Sequence, residues 1–182
     1  MRRGPTRAEL LAAADRTVPD VIAPHLRILF CGINPGLYTA WAGHHFARPG
    51  NRFWPALHAG GFTPRLLAPS EEEELLPLGL GITNLVPRAT ATAAELTHED
   101  LIAGKKRLVR IVRRQQPRAL AVLGVSTYRA AFARPKAIVG LQPDKIGDTL
   151  IWLLPNPSGL NANYQPAALA RLFRELRHAV GE

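Results

Sequence analysis

The chain has little sulfur and is short of acid. Of its 182 residues one is cysteine, Cys31, and one is methionine. A single cysteine excludes an intramolecular disulfide framework, a four-cysteine zinc site and a cysteine-held iron–sulfur cluster. No apolar run approaches the roughly 18–20 residues of a membrane-spanning helix, so no membrane association is expected. Met1-Arg2-Arg3 has the charge of a signal peptide, but residues 8–15 are broken by Glu9 and Asp15 and supply no apolar segment, so no export signal is expected. The six histidines contain no H-E-x-x-H spacing, and nothing calls for a metal or cofactor. Acidic residues number 14 against 23 Lys plus Arg, a formal charge of +9, and 19 of those bases are arginine. That excess favours a polyanionic partner, although a solvated basic face gives the same figure.

What is present reads as an α/β protein. Apolar residues make up 47% and charged residues 20%, against disorder. The length suits one domain of ~100–200 residues, taken here as 1–182 with residues 1–25 as an N-terminal helical extension. An opening helix is expected over 6–14 with Leu10 and Leu11 inward. Apolar runs at 26–31, 81–86, 119–123 and 149–154, each stopped by Gly, Pro or a polar turn, read as strands. Between them, 51–59, 126–132 and 166–180 read as helices. A further helix begins at Ser70 with a capping box, and a long one is opened by Thr97 and Asp100. This alternation implies a three-layer α/β/α fold with a short, mainly parallel four-stranded sheet. The run Glu71–Glu74 suits the positive end of a helix and needs no functional role. Lys105, Lys106, Arg107, Arg110, Arg113 and Arg114 read as a solvated face whose carboxyl end lies away from any ligand. Asp144 and Asp148 read as turn residues.

Ligands of such sheets bind beyond the carboxyl ends of the strands. After the first strand comes Gly32-Ile33-Asn34-Pro35-Gly36. After the fourth comes Asn156-Pro157-Ser158-Gly159-Leu160-Asn161. Neither has the spacing of a phosphate-binding loop. Either alone could be a strand-ending turn in which asparagine bonds its own backbone. Together they place two Asn-Pro turns at one rim of the sheet in a basic protein.

With these loops, the segment 32–54 (GINPG followed by HHFARPGNRFW) resembles the mismatch-specific uracil-DNA glycosylases and their thymine-DNA glycosylase relatives. The similarity continues through GITNLVPRAT (81–90), GLQPDKIGDT (140–149) and LPNPSGL (154–160), covering roughly residues 28–180. It implies the uracil-DNA glycosylase fold and a DNA repair enzyme that flips a mispaired base and hydrolyses its N-glycosidic bond. It also implies that Asn34 holds the attacking water, within a loop that brings Ile33 and Gly36 to the base. An amide orients water but is a poor base, so slow chemistry is expected. Phe46 falls on the aromatic that stacks on the base, and Asn156 on a hydrogen-bonding partner for it. Thr83 and Asn84 are expected beside the water or base, with His45 and Thr39 near the base C5 position. Leu160 is the apolar wedge for the duplex, carried on Ser158, Gly159 and Asn161, with Gly159 allowing close approach to DNA. Arg48, Arg52 and Lys145 are the expected phosphate contacts.

The expectation is therefore a monomeric, monofunctional glycosylase acting on double-stranded DNA with G:U or G:T mispairs. It would need neither metal nor cofactor and would work at the nucleoid of a bacterial cytoplasm. A non-catalytic damage-binding module of the same fold, or an N-glycosidase for free nucleosides or nucleotides, are the other readings.

Overall fold

The computed structural model describes residues 3–181. Its centre is a five-stranded sheet formed by β1 (Ile28–Gly32), β2 (Leu80–Asn84), β3 (Ala119–Leu123), β4 (Gly140–Ile146) and β5 (Thr149–Leu154), in the spatial order β2-β1-β3-β5-β4. Four strands run parallel, and β4 pairs antiparallel with β5 at the edge. The helices are α1 (Arg7–Leu11), α2 (Leu37–Ala42), α3 (Phe53–Ala59), α4 (His98–Gln115), α5 (Val125–Ala131) and α6 (Pro166–Val180). No helix among the described residues is long and apolar enough to cross a membrane.

Every residue of β1, β2 and β3 is buried, as strands covered on both faces require. Alternation along β1 builds two separate cores. Phe30 joins the layer of α3 and α6, edge-on to Phe53 and stacked on Phe173 at 5.8 Å between centroids. Leu29 and Cys31 face the opposite layer, with Leu108 and Val112 of α4 and Tyr128 of α5. Burial there pushes the Cys31 thiol pKa up, so the only cysteine is an inert core residue. The sheet register sets Gly32 against Asn84, so β1 and β2 end level at one rim.

The sheet has five strands rather than the four expected. GLQPDKI carries Gly140, Pro143 and Asp144, and only Gln142 and Ile146 are buried, so it lacks the apolar alternation of a strand. An edge position tolerates the proline, and a register shift between Leu141 and Lys145 absorbs it. Asp144 is thus a strand residue, ion-paired with Arg134, and not a turn residue. The opening helix is shorter than expected and leaves Leu11 56% exposed. Residues Pro69–Leu78 form a 3₁₀ segment, not an α-helix beginning at Ser70. Its first bond runs from the Ala68 N–H to the Glu71 carboxylate.

The carboxyl end of α4 does lie at the far rim: Arg113 borders a hollow with His25, Arg118 and Gly147 at the amino ends of the strands. Arg107, on the same helix, is not on a solvated face. It donates to the Asn84 carbonyl at 3.0 Å and to the Asp20 carboxylate at 2.9 Å. The close packing that permits this reach depends on Gly104, where an added Cβ would stand 2.6 Å from the Leu85 carbonyl oxygen. Alanine gains about 1 kcal/mol over glycine in a helix interior. Overpacking against backbone costs ~1–3 kcal/mol. The clash should win, and Gly104→Ala should lower the urea midpoint rather than raise it.

Candidate functional site at the carboxyl rim of the sheet

The ends of β1, β2, β3 and β5 surround a cavity of about 180 Å³. That is below the ~300–1,000 Å³ of pockets for drug-sized ligands and suits a single small ring system. Ile33, Asn34, Gly36, Thr39, His45, Phe46, Arg48, Asn84, Asn156 and Ser158 of the expected residues line it, together with Gly32. Arg48, Arg52, Ser158, Gly159 and Leu160 line an adjoining groove.

The first loop continues the β1–β2 pairing beyond the sheet. Leu85 and Val86 N–H groups donate to the Gly32 and Ile33 carbonyls, and Thr90 N–H donates to that of Pro35. This brings Arg88 and Thr90 under Asn34. The Asn34 Nδ2 donates to the Arg88 carbonyl at 3.1 Å and to Thr90 Oγ1 at 2.7 Å. Thr90 in turn spends its own proton on the Thr92 carbonyl at 2.7 Å. Since the Arg88 oxygen can only accept, the amide cannot be reversed, and Asn34 Oδ1 is left as a fixed acceptor. Asn34 therefore does not bond its own backbone, as a simple strand-ending turn would have it.

Asn156 is turned the other way. Its Oδ1 accepts from the Ser158 N–H at 3.0 Å, a local Asx turn, which leaves its Nδ2 as the donor on the cavity wall. An acceptor and a donor, each oriented by its own partner, thus line the cavity from loops after different strands.

A third wall comes from the loop between α2 and α3. His45 is 1% exposed, and its Nε2 lies 2.8 Å from the Pro19 carbonyl. That partner only accepts, so Nε2 carries the proton and Nδ1 accepts from Asn84 Nδ2 at 3.4 Å. Phe46 stacks on Phe53 with 4.2 Å between centroids. It is partly buried, packed against the core on one side and lining the cavity. Its φ is +53°, a left-handed conformation that is rare for a bulky side chain and costs of order 1–3 kcal/mol. Thr39 Oγ1 accepts from the Ala47 N–H at 3.3 Å, tying α2 to this loop.

Several expected residues sit elsewhere. Thr83 is fully buried on the other face of β2 and gives its hydroxyl proton to Asp20 at 2.9 Å, so it supports the N-terminal segment and not the cavity. Alternation along the strand decides this, since neighbours in a strand point to opposite faces. Lys145 pairs with Leu150 near the β4–β5 turn, at the rim opposite the cavity. Arg52 is engaged within the fold: Nη1 donates to the Asn161 and Tyr164 carbonyls at 3.1 and 2.6 Å, and Nη2 to that of Gly159 at 3.4 Å. Gly159 does allow a close backbone approach, but to Gly50, whose oxygen would be 2.4 Å from an added Cβ. Asn161 turns inward and donates to the Asn156 carbonyl at 3.1 Å. Leu160, held on this loop, is 77% exposed. The Arg48 side chain is exposed and makes no hydrogen bond or ion pair among the described residues.

Sequence reasoning missed Asp20, Asn51, Glu72, Arg88 and Thr90. Asn51 also lines the cavity, and its Oδ1 accepts from the Phe53 N–H at 2.9 Å to start α3. Thr90 closes the segment GITNLVPRAT and could have been taken from it. A lone Asp20 carries no periodic signal.

These features define an α/β/α protein with a small polar and aromatic cavity at the carboxyl rim of its sheet and an exposed leucine beside it. Residues 19–177 match the uracil DNA glycosylase superfamily, and the chain belongs to that superfamily. The solution NMR structure of a candidate uracil DNA glycosylase from Methanosarcina acetivorans aligns with a TM-score of 0.59 at 20% identity, over 89% of this chain and 98% of that one. At that identity the likeness bears on the fold.

Arg88 ties the Asn34 loop to the start of α4. Its guanidinium donates to Asp100 at 2.8 Å, and Asp100 also accepts from the Thr97 N–H at 2.8 Å. Arg88, and then Thr97, hold the Asp100 carboxyl well below the usual carboxylate range. Because the folded pKa is the lower one, this stabilisation is complete above the unfolded value of about 3.9 and is lost as pH falls below it. Asp100→Asn should therefore cost stability near neutral pH, with the gap from the parent narrowing below about pH 3.9 in urea denaturation curves.

Proposed function

We propose that the protein is a monofunctional DNA glycosylase of the mismatch-specific type, hydrolysing the bond between deoxyribose C1′ and N1 of uracil mispaired with guanine. Thymine and etheno-cytosine opposite guanine are the further substrates expected. It acts as a monomer on double-stranded DNA and leaves an abasic site. The observation that carries this reading is the pinned Asn34 amide, with its oxygen free at the rim of a cavity the size of one base.

In the proposed reaction a water held by Asn34 Oδ1 attacks C1′ as the C1′–N1 bond breaks. The bonding electron pair leaves with uracil as an N1 anion, and the proton lost by the water passes to solvent or to that anion. The amide cannot take this proton, so the residue orients the nucleophile without activating it. In this reading the Asn156 Nδ2, left over once Oδ1 has accepted from the Ser158 N–H, donates to a base carbonyl, where negative charge develops on the leaving group. Phe46, which lines the cavity and is backed by Phe53, is in this reading the ring on which the base stacks. Leu160 fills the gap left in the duplex and helps offset an unstacking cost of a few kcal/mol.

Two measurements test this. A labelled duplex with one G:U pair, incubated with enzyme and then treated with alkali, should be cut at the uracil. Asn34→Ala should reduce the single-turnover rate by about a hundredfold, as loss of a positioned reactant does. An intact strand at high enzyme excess would favour a binding module, and turnover of free deoxyuridine in preference to duplex would favour a nucleosidase. The second is the salt dependence of duplex binding. Arg48→Ala should lower the slope of log K against log salt by about 0.9, the value of one phosphate contact. Arg52→Ala should leave that slope unchanged, because its guanidinium is already committed to carbonyls.

A further inference from the structure

Of the four consecutive glutamates at 71–74, three behave as surface residues. Glu71 accepts from the Ala68 N–H and pairs with Arg65, Glu74 pairs with Arg65, and Glu73 is exposed. Glu72 is different. It is 7% exposed, and both carboxylate oxygens meet the cavity loop: Oε2 accepts from the His45 N–H at 2.8 Å, and Oε1 from His44 Nδ1 at 3.1 Å. A buried carboxylate is costly unless such donors satisfy it, so its presence here asks for a role.

The bonds show what that role is. The His45 residue is gripped on both sides, its N–H by Glu72 and its C=O by the indole N–H of Trp54 at 3.1 Å. The next residue is Phe46, with its left-handed φ of +53°. A conformation of that kind persists only where its surroundings over-determine it. Glu72 also fixes the loop from which His45 reaches Asn84 Nδ2 and the Pro19 carbonyl. It does not itself line the cavity.

We propose that Glu72 is a positioning residue for the base pocket, its carboxylate holding the His44–His45 backbone so that Phe46 and His45 stand at fixed places on the cavity wall. The activity part of the test rests on the glycosylase reading above, and the exchange part does not. Glu72→Ala removes both acceptors. Its single-turnover excision from a G:U duplex should fall at least tenfold, while affinity for a duplex carrying a tetrahydrofuran abasic analogue stays within threefold. Native-state hydrogen exchange at the His45 amide should accelerate at least tenfold. Glu72→Gln keeps an amide oxygen for the His45 N–H and a polar group beside His44 Nδ1, and should retain at least a third of the parental rate.

If Glu72→Ala does not fold, Glu72→Asp serves instead. Its carboxylate is withdrawn by one methylene, and it should lose rate where Glu72→Gln keeps it. Parental excision by Glu72→Ala, unchanged exchange at His45, or equal damage from Ala and Gln would overturn the proposal. If the parent excises nothing, the glycosylase reading falls and the exchange result alone decides the role of Glu72.

Discussion

The site is organised around the contact between Gly32 and Asn84, level with each other at the ends of two parallel strands. A Cβ on residue 32 would stand 2.6 Å from Asn84 Oδ1 and 3.3 Å from the Phe46 ring. Only the absence of a side chain there lets an amide from β2 and an aromatic ring from the α2–α3 loop meet over the end of β1. From this approach the rest follows in sequence. Asn84 reaches His45, His45 is anchored to Pro19, and Phe46 is pressed onto Phe53. The same two strands carry their pairing on into the loops, which puts Arg88 and Thr90 under Asn34. The glycine needs no positive φ; what it supplies is space.

Net charge is a poor guide to what the arginines do. The figure of +9 counts Arg52, Arg88 and Arg107 with the rest. Each of these is used inside the fold. Arg52 fans across three carbonyls of the loop that carries Leu160. Arg88 spans Asp15 and Asp100, and Arg107 joins Asp20 to the end of β2. A guanidinium suits this work because its donors are fixed in a plane and its charge does not titrate away. The exposed Arg48 remains at the cavity mouth. On the proposed reading, the other bases contribute to a diffuse attraction for DNA, while the local contacts rest on very few residues.

Most of the fold was legible because the central strands are apolar at nearly every position and the long helices carry apolar stripes, with a capping box opening α4 and a proline opening α6. The third strand and the final helix have the bounds expected of them. The edge strand was not legible: with proline, aspartate and lysine, and only two of its residues buried, it has no pattern distinct from a loop. The loops around the cavity were found from their asparagines and prolines, yet the partners of those asparagines were not. Asn34 is bound by residues 54 and 56 positions later in the chain, a separation no local spacing encodes. Glu72 was hidden in a different way. Four identical residues in a row carry no information about which one turns inward, and only the 3₁₀ path of that segment selects it.

Both cavity asparagines face the same physical problem, that an amide can point either its oxygen or its nitrogen at a ligand. The fold solves it twice with different partners. Acceptors under Asn34 claim its nitrogen, and a backbone N–H beside Asn156 claims its oxygen. The cavity therefore presents an acceptor from one loop and a donor from the other without waiting for a ligand to choose. For a residue that cannot act as a base, such fixed orientation is the main contribution available, since effective concentration and preorganised dipoles do not depend on a titrating group. Much of the polar structure around the cavity, from Thr90 to Glu72 and Arg52, serves orientation. It fits an enzyme whose uncharged side chains must supply by placement what a carboxylate would supply by chemistry.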